Sequence, residues 1–272
     1  MFQQTTQRFI WSLLFFLVCC TTPHSKRLIH FANKSTETGS AFYTSVAGAG
    51  WRERDSVATQ SILSGNVPSF LTRFTRVDVS MQTEDGKKIK ARYYVMPDYL
   101  SIGTEGDWSR IPMTPMAAQK IADSLHCFLP TSKIVDDVYR QASIKLTPVP
   151  MYAFRDSTPT MWQHHLIIEG QRKGRKGLIA GIKKDVVITG KLTRDSKANR
   201  VAIYGWHKPD GKAIQPLYTG HVNWYVDYSH GIRLVYRTIW VNGKPMDYIK
   251  LLEDRKLHQL LCNEAWCDVY RY

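Results

Sequence analysis

The sequence predicts an α+β fold, a mainly antiparallel sheet or half-barrel with a helix pair packed on one side. Two hairpin turns, Asp85-Gly86 and Asn242-Gly243, adjoin runs that are typical of β-strands. Residues 112–142 change to the spacing of an amphipathic helix. The predicted strands are not interleaved with helices, which disfavours a parallel sheet.

The predicted strands fall into two groups. The first is a hairpin around Asp85-Gly86, where apolar and polar residues alternate on both sides of the turn. The second follows Pro150 and consists of stretches rich in β-branched and aromatic residues, namely LIIEG, LIAGIKKDVVITG, RVAIYGW, VNWYVDY and IRLVYRTIWV. A short helix over LEDRKLHQLL follows them near the end of the chain.

The helix pair is predicted at about 115–126 and 131–142. Thr114-Pro115 fits an N-cap followed by proline at the first helical position. Pro130-Thr131 interrupts the first helix and begins the second.

The composition indicates one sizeable core. The chain has 272 residues, of which 43% are hydrophobic, and this excludes a wholly disordered or fibrous protein. We predict a signal peptide at 1–20 and a tether or loosely ordered segment at 21–69, which is rich in Ser, Thr, Gly and Ala. A single α+β domain is predicted at 70–272.

The N-terminal apolar run indicates export. It extends from Phe9 to Cys20 and is too short for a membrane-spanning helix, which needs about 20 residues. Leu17-Val18-Cys19-Cys20 resembles a bacterial lipoprotein cleavage box, which implies lipidation of Cys20. Ordinary cleavage nearby is the alternative. We expect a protein of the periplasm or cell surface, tethered to the membrane if Cys20 is modified.

The remaining cysteines suggest one disulfide. Cys262 and Cys267 are close enough in sequence to close a small loop in an oxidising compartment, which leaves Cys127 over. Cys127 precedes the second predicted helix and is either a buried small hydrophobe or the nucleophile of a Cys–His hydrolase. The three thiols do not have the spacing of a zinc site, and the sequence identifies no metal or cofactor.

Residues 204–233 are the densest stretch of functional side chains. Asp227, Ser229 and His230 lie at a predicted strand end, and His207 lies at the end of the preceding strand. An aspartate orients an imidazole that acts as a general base near pH 7. We therefore predict His207, Asp227 and His230 as catalytic residues, with Ser229 in the substrate-binding turn.

Basic and aromatic residues complete the predicted site. Lys183 and Lys184 interrupt an apolar run, where a charge is unfavourable unless it is exposed or paired. We predict that Lys183, Lys184, Trp206 and Arg233 contact substrate, and that Lys183 or Arg233 stabilises developing negative charge. His164 and His165 are expected on opposite faces of a strand.

Two main functions remain open at this stage. The first is a hydrolase of an envelope or extracellular polymer, and the second is a non-catalytic module that binds anionic glycan or peptidoglycan. A structural envelope protein is a third possibility. The net charge of +14 favours an anionic partner, and nucleic acid is not expected for an exported chain. The chain contains no HExxH, Walker, GxGxxG or GxSxG motif, which disfavours the common metalloprotease, nucleotide-binding and α/β-hydrolase functions.

Overall fold

The computed structural model describes residues 25–31, 36–265 and 267–272, and these form an α+β fold with mainly antiparallel sheets. The predicted fold class is therefore confirmed. The sheets of these residues do not close into a barrel.

The helices and strands have the following bounds. The helices are α1 Gly39–Ser45, α2 Trp51–Leu63, α3 Pro115–Ser124, α4 Ser132–Gln141, α5 Thr158–Arg172, α6 Lys191–Arg194 and α7 Tyr248–Glu253. The strands are β1 Ser25–Arg27, β2 Arg73–Gln82, β3 Lys88–Val95, β4 Ser101–Gly103, β5 Trp108–Arg110, β6 Cys127–Phe128, β7 Ile144–Lys145, β8 Ile179–Ala180, β9 Lys184–Val186, β10 Arg200–His207, β11 Ala213–Val222, β12 His230–Gly231, β13 Val235–Tyr236, β14 Thr238–Val241 and β15 Lys244–Asp247. Two 3-10 turns cover Ser69–Thr72 and His258–Leu260.

Two sheets carry most of the structure. The larger has the order β1-β2-β3-β13-β6, with β14 pairing with both β3 and β15. The smaller has the order β11-β10-β9-β12, and its β9–β12 pair is parallel. Both predicted hairpins are confirmed, since β2 pairs with β3 around Asp85-Gly86 and β14 pairs with β15 around Asn242-Gly243.

The helix pair is also confirmed, as α3 and α4. The Thr114 side chain accepts a hydrogen bond from the Ala117 backbone, and the Thr131 side chain accepts one from the Ile134 backbone. These caps satisfy backbone N–H groups that have no partner inside the helix. α4 packs against β10 and β2, so it joins the two main sheets.

The segment from 36 to 69 differs from the prediction. The segment predicted as a tether, 21–69, contains α1 and α2, and side chains such as Phe42 and Ile62 belong to the main core. Small residues are compatible with this packing because they allow close approach. A Cβ at Gly39 would lie 2.5 Å from the Trp108 backbone. The predicted signal peptide, 1–20, and Cys20 lie outside the described residues.

One predicted strand is a helix. LIIEG lies inside α5, which begins after the Ser157 cap and carries Pro159 in its first turn. Because a helix turns about 100° per residue, His164 and His165 both become buried and do not face opposite sides of a sheet.

Two further segments of the chain differ from their predictions. The stretch VNWYVDY is mostly a turn and irregular chain after β11, so it does not have the alternating faces expected of a strand. The predicted helix over LEDRKLHQLL is divided between the end of α7 and a 3-10 turn. The predicted disulfide between Cys262 and Cys267 is present, and Cys127 is free and buried.

Candidate functional site

The predicted catalytic residues lie in two separate clusters. His207 contacts Asp136 of α4, whereas Asp227 and Ser229 hydrogen-bond each other in the loop before β12. No hydrogen bond, ion pair or ring contact joins His207 to Asp227, Ser229 or His230, all of which are described residues. The structure therefore does not bring the three predicted catalytic residues together.

The His207 cluster is centred on the carboxylate of Asp136. One oxygen, Oδ1, lies 2.9 Å from Nε2 of His207 and 2.9 Å from the hydroxyl of Tyr204. A carboxylate can only accept, so both groups donate to it. The other oxygen, Oδ2, accepts no hydrogen bond from the described residues, and the side chain is 26% exposed. Asp136 thus keeps one oxygen free at the surface.

The cluster opens into a cleft of about 480 Å³. The described residues that line it are Asp136, Tyr139, Arg140, Lys145, Tyr204, His207, Pro209, Asp210 and Gly211. Aromatic rings, cations and two carboxylates thus share one concave surface, which is a common arrangement in ligand sites.

Local structure explains how each side chain reaches the cleft. Asp136, Tyr139 and Arg140 are three and four residues apart on α4, so they share one face of the helix. On β10, the strand pairing is irregular, and Gly205 and Trp206 both have positive φ. A Cβ at Gly205 would lie 3.1 Å from Val135 of α4, so glycine allows β10 to pack closely against that helix.

Aromatic contacts hold the imidazole in place. The Tyr139 ring stacks on His207 with centroids 4.4 Å apart, and Lys145 Nζ lies 4.9 Å from the Tyr139 ring centre. Burial and the neighbouring Asp136 carboxylate raise the pKa of Tyr204, which keeps that hydroxyl a hydrogen-bond donor. The cleft therefore has a fixed Tyr–Asp–His arrangement.

The second cluster is centred on the buried carboxylate of Asp227. It accepts hydrogen bonds from the Ser229 backbone at 2.8 Å, the Ser229 hydroxyl at 2.6 Å, Arg155 at 2.8 Å and Tyr225 at 3.3 Å. Burial alone would raise the pKa of Asp227, but His230, Ser229 and Arg155 outweigh it and lower that pKa. Both carboxylate oxygens accept hydrogen bonds and the side chain is buried, so Asp227 has the environment of a structural anchor.

Buried basic groups lie behind Asp227. Lys183 donates to the Tyr228 carbonyl, and its Nζ lies 3.4 Å from Nδ1 of His164. Burial lowers the pKa of Lys183 to about 7 and that of His230 to about 4. Nε2 of His230 is buried with no partner among the described residues. Lys183 and His230 are both 2% exposed or less, so neither faces solvent as a residue that contacts substrate would.

The other predicted substrate-binding residues are mostly internal. The guanidinium of Arg233 donates at 2.7 Å to the carbonyls of Met96 and Ile179, and this holds two segments of chain together. Lys184 Nζ lies 5.1 Å from the ring centre of Trp206, and both side chains are buried. Arg233, Lys184 and Trp206 thus stabilise the interior around β9 and β10.

The backbone near Gly231 is closely packed. A Cβ there would lie 2.6 Å from both Lys183 and the Tyr99 ring, so glycine is needed for close approach of β12 to β9.

Sequence reasoning missed Asp136 and Tyr139. Both were assigned only to a helix, because nothing in the local pattern shows which strand the polar face of α4 meets. The contact between Asp136 and His207 spans 71 positions of the chain. No group of three or more described His, Cys, Asp and Glu side chains has the arrangement of a metal site.

Comparison with known proteins adds no relative, since no protein-family model, curated protein or solved structure matches the chain. Within 25–31, 36–265 and 267–272, no helix is long and apolar enough to cross a membrane.

Proposed function

We propose that this protein is an exported hydrolase of an envelope or extracellular polymer, in which Asp136 is the general base and His207 holds the Asp136 carboxylate in position. The observation that carries the proposal is the 2.9 Å contact between His207 and Asp136 at the wall of a cleft of about 480 Å³. A carboxylate that is held by two donors and keeps one free oxygen has the geometry of a general base.

The proposed reaction uses the free oxygen of Asp136. Oδ2 takes a proton from a water molecule, whose oxygen forms a bond to the electrophilic carbon of the substrate. The bond between that carbon and the leaving oxygen breaks, the leaving oxygen takes a proton from solvent, and Asp136 then returns its proton to solvent. The hydrogen bonds from His207 and Tyr204 fix the carboxylate in position, and this positioning lowers the barrier.

Export is part of the same proposal. It is supported by the short apolar run from Phe9 to Cys20 and by the disulfide between Cys262 and Cys267. Disulfides persist in oxidising compartments and are rare in the cytosol. We propose a periplasmic or cell-surface protein, tethered through a lipid on Cys20 if that residue is modified.

A non-catalytic module that binds anionic glycan or peptidoglycan is the second candidate. Its support is the cleft lining, where Tyr139, Tyr204, Arg140 and Lys145 offer stacking surfaces and positive charge. The two functions share a ligand and differ in whether the Asp136 carboxylate transfers a proton.

Turnover and binding of labelled polymers separate the two functions. Purified protein is incubated with soluble acidic glycans and with labelled peptidoglycan, and the bound label and the newly released chain ends are both measured. Wild type is expected to release chain ends. Asp136→Asn and His207→Gln should each lower the rate about 100-fold or more and leave binding largely intact.

Asp78→Asn on β2 is the matched control, because the Asp78 side chain is exposed, pairs with Arg76 and does not line the cleft. It should behave like wild type in both assays. Binding without released chain ends in wild type would favour the binding module. Full activity in Asp136→Asn would overturn the proposed role of the cleft.

A further inference from the structure

A second concave surface lies between α2 and α3. This groove, here called the α2–α3 groove, has a volume of about 820 Å³ and shares no lining residue with the Asp136 cleft. Residues of α2, of α3 and of the α3 cap line it, namely Trp51, Arg52, Asp55, Ser56, Thr59, Gln60, Leu63, Ser64, Thr114, Met116, Ala117 and Lys120.

The groove contains a buried carboxylate with an unused oxygen. Asp55 is 5% exposed, and its Oδ2 accepts a hydrogen bond of 3.0 Å from the Thr114 backbone. Its Oδ1 has no hydrogen-bond partner among the described residues. Burial raises the pKa of Asp55, while hydrogen bonds from Thr114 and the nearby charge of Arg54 act in the opposite direction and do not outweigh it. A buried acceptor without a donor is unfavourable, so the groove favours a ligand that supplies an N–H group.

Apolar and cationic side chains surround this carboxylate. Trp51, Leu63 and Met116 provide apolar surface, and Met116 is 37% exposed. Arg52 lies over the Trp51 ring at 5.1 Å, and Lys120 lies on the α3 side. Neither cation forms an ion pair with the rest of the described chain. The groove therefore offers one buried negative group, an apolar wall and two unneutralised positive groups.

We propose that the α2–α3 groove binds a short peptide with a free amino terminus. The ammonium group of the peptide donates to Oδ1 of Asp55, an apolar side chain packs on Trp51 and Met116, and a carboxylate meets Arg52 or Lys120. A purely cationic ligand would be repelled by these two side chains, and a purely anionic one by Asp55. A zwitterion with an apolar part matches all three features.

Calorimetric titration with the tripeptide Leu-Ala-Ala tests the proposal. The same peptide is also titrated with its amino terminus acetylated and, separately, with its carboxyl terminus amidated. We expect measurable binding of the free peptide and about tenfold or greater weakening on acetylation, because a charge-assisted hydrogen bond is lost. Amidation should weaken binding less, because Arg52 and Lys120 are exposed.

Asp55→Asn keeps an oxygen that accepts from Thr114 and removes the negative charge. This variant should bind the free peptide about as weakly as wild type binds the acetylated peptide. Acetylation should cause little further loss of affinity in the variant. Met116→Glu changes an exposed side chain and should also abolish binding, so the proposal stays testable if Asp55→Asn folds poorly. Asp136→Asn should bind the peptide like wild type, which separates this test from that of the proposed hydrolase.

Two results would overturn the proposal. One is equal affinity of wild type for the free and acetylated peptides. The other is no binding of the free peptide at millimolar concentration, which would mean that ordered water or another part of the chain satisfies Asp55.

Discussion

A single carboxylate, that of Asp227, connects the loop between β11 and β12 to the segment before α5. It accepts hydrogen bonds from Ser229 and Tyr225 within its own loop and from Arg155 before α5. The backbone hydrogen bond of 2.9 Å from Tyr228 to the Arg155 carbonyl links the same two segments. We infer that Asp227 stabilises this part of the fold, and that it acts on the cleft only through the structure it maintains.

Asp227→Asn is expected to lower the free energy of unfolding by about 2–4 kcal/mol, since it places an amide N–H₂ against donors that face a buried charge. The lowered pKa of Asp227 means that its stabilising effect is present above about pH 3.8 and is lost as pH falls through the folded-state value. Urea unfolding at neutral pH measures the loss. Asp156→Asn, an exposed aspartate next to Arg155, is the control and should change stability by less than about 0.5 kcal/mol. A fully stable but inactive Asp227→Asn protein would contradict this role and favour direct catalysis.

At the scale of elements, α4 holds the proposed cleft in position. The Thr131 side chain accepts from the Ile134 backbone at 3.2 Å and also donates to the Leu261 carbonyl. One hydroxyl therefore caps α4 and attaches it to the C-terminal segment. The helix in turn carries Asp136 and Tyr139 into the cleft.

Thr131→Ala removes both hydrogen bonds and is expected to destabilise the protein by about 1–2 kcal/mol. Thr131→Ser keeps the hydroxyl and should lower the free energy of unfolding by only a few tenths of a kcal/mol. Thr44→Ala on α1 is the comparison, because the exposed Thr44 hydroxyl donates to the Ser40 carbonyl in the same helix, and this substitution should have a smaller effect. Thermal or urea unfolding of the three variants checks the order, and equal losses for the two alanine variants would contradict it.

Local signals were sufficient to predict some elements and insufficient for others. The capping and helix-breaking residues Thr114-Pro115 and Pro130-Thr131 predicted α3 and α4, and Asp85-Gly86 predicted the β2–β3 hairpin. α5 was missed because Leu166, Ile167 and Ile168 are contiguous and partly β-branched, which resembles a strand. Its decisive signals are the Ser157 cap and two buried histidines, and hydropathy does not count a histidine as core.

The site was predictable only in part for a similar reason. His207 was identified from its own segment, but its partner Asp136 comes from a distant helix. Asp227 and Ser229 hydrogen-bond each other, whereas no side-chain hydrogen bond joins either of them to His230, all three being described residues. Burial distinguishes an anchor from a surface site, and burial depends on which segments, such as the one carrying Arg155, fold over the cluster.

For the whole molecule, buried ionisable groups link stability to pH. Burial lowers the pKa of Lys183 to about 7, whereas an unfolded lysine binds its proton up to about pH 10.5. The unfolded state therefore holds more protons between these values, and Lys183 makes stability rise as pH increases from about 7 to 10.5. This dependence of stability on pH applies above pH 7, and a steeper dependence is expected in acid.

Three buried histidines dominate the acid side. Burial lowers the pKa of His164 to about 2 and that of His230 to about 4, and it also places the pKa of His165 well below its ordinary value of 6.5. Between pH 6.5 and 4 the unfolded chain takes up protons that the folded chain does not, so stability falls as pH falls. Each such group contributes up to about 1.4 kcal/mol per pH unit. Burial raises the pKa of Asp185 to about 6, so the folded chain takes up this proton before the unfolded chain does. Asp185 therefore cancels the contribution of about one histidine.

We therefore expect the free energy of unfolding to fall by about 2–3 kcal/mol per pH unit between pH 6 and pH 4. Urea unfolding at a series of pH values measures this slope. His230→Gln removes one titrating group and should reduce the slope by up to about 1.4 kcal/mol per pH unit, the contribution of one proton. His30→Gln changes an exposed histidine and should leave the slope unaltered. The dominance of the buried histidines would be refuted by a flat profile, or by a slope that His230→Gln does not change.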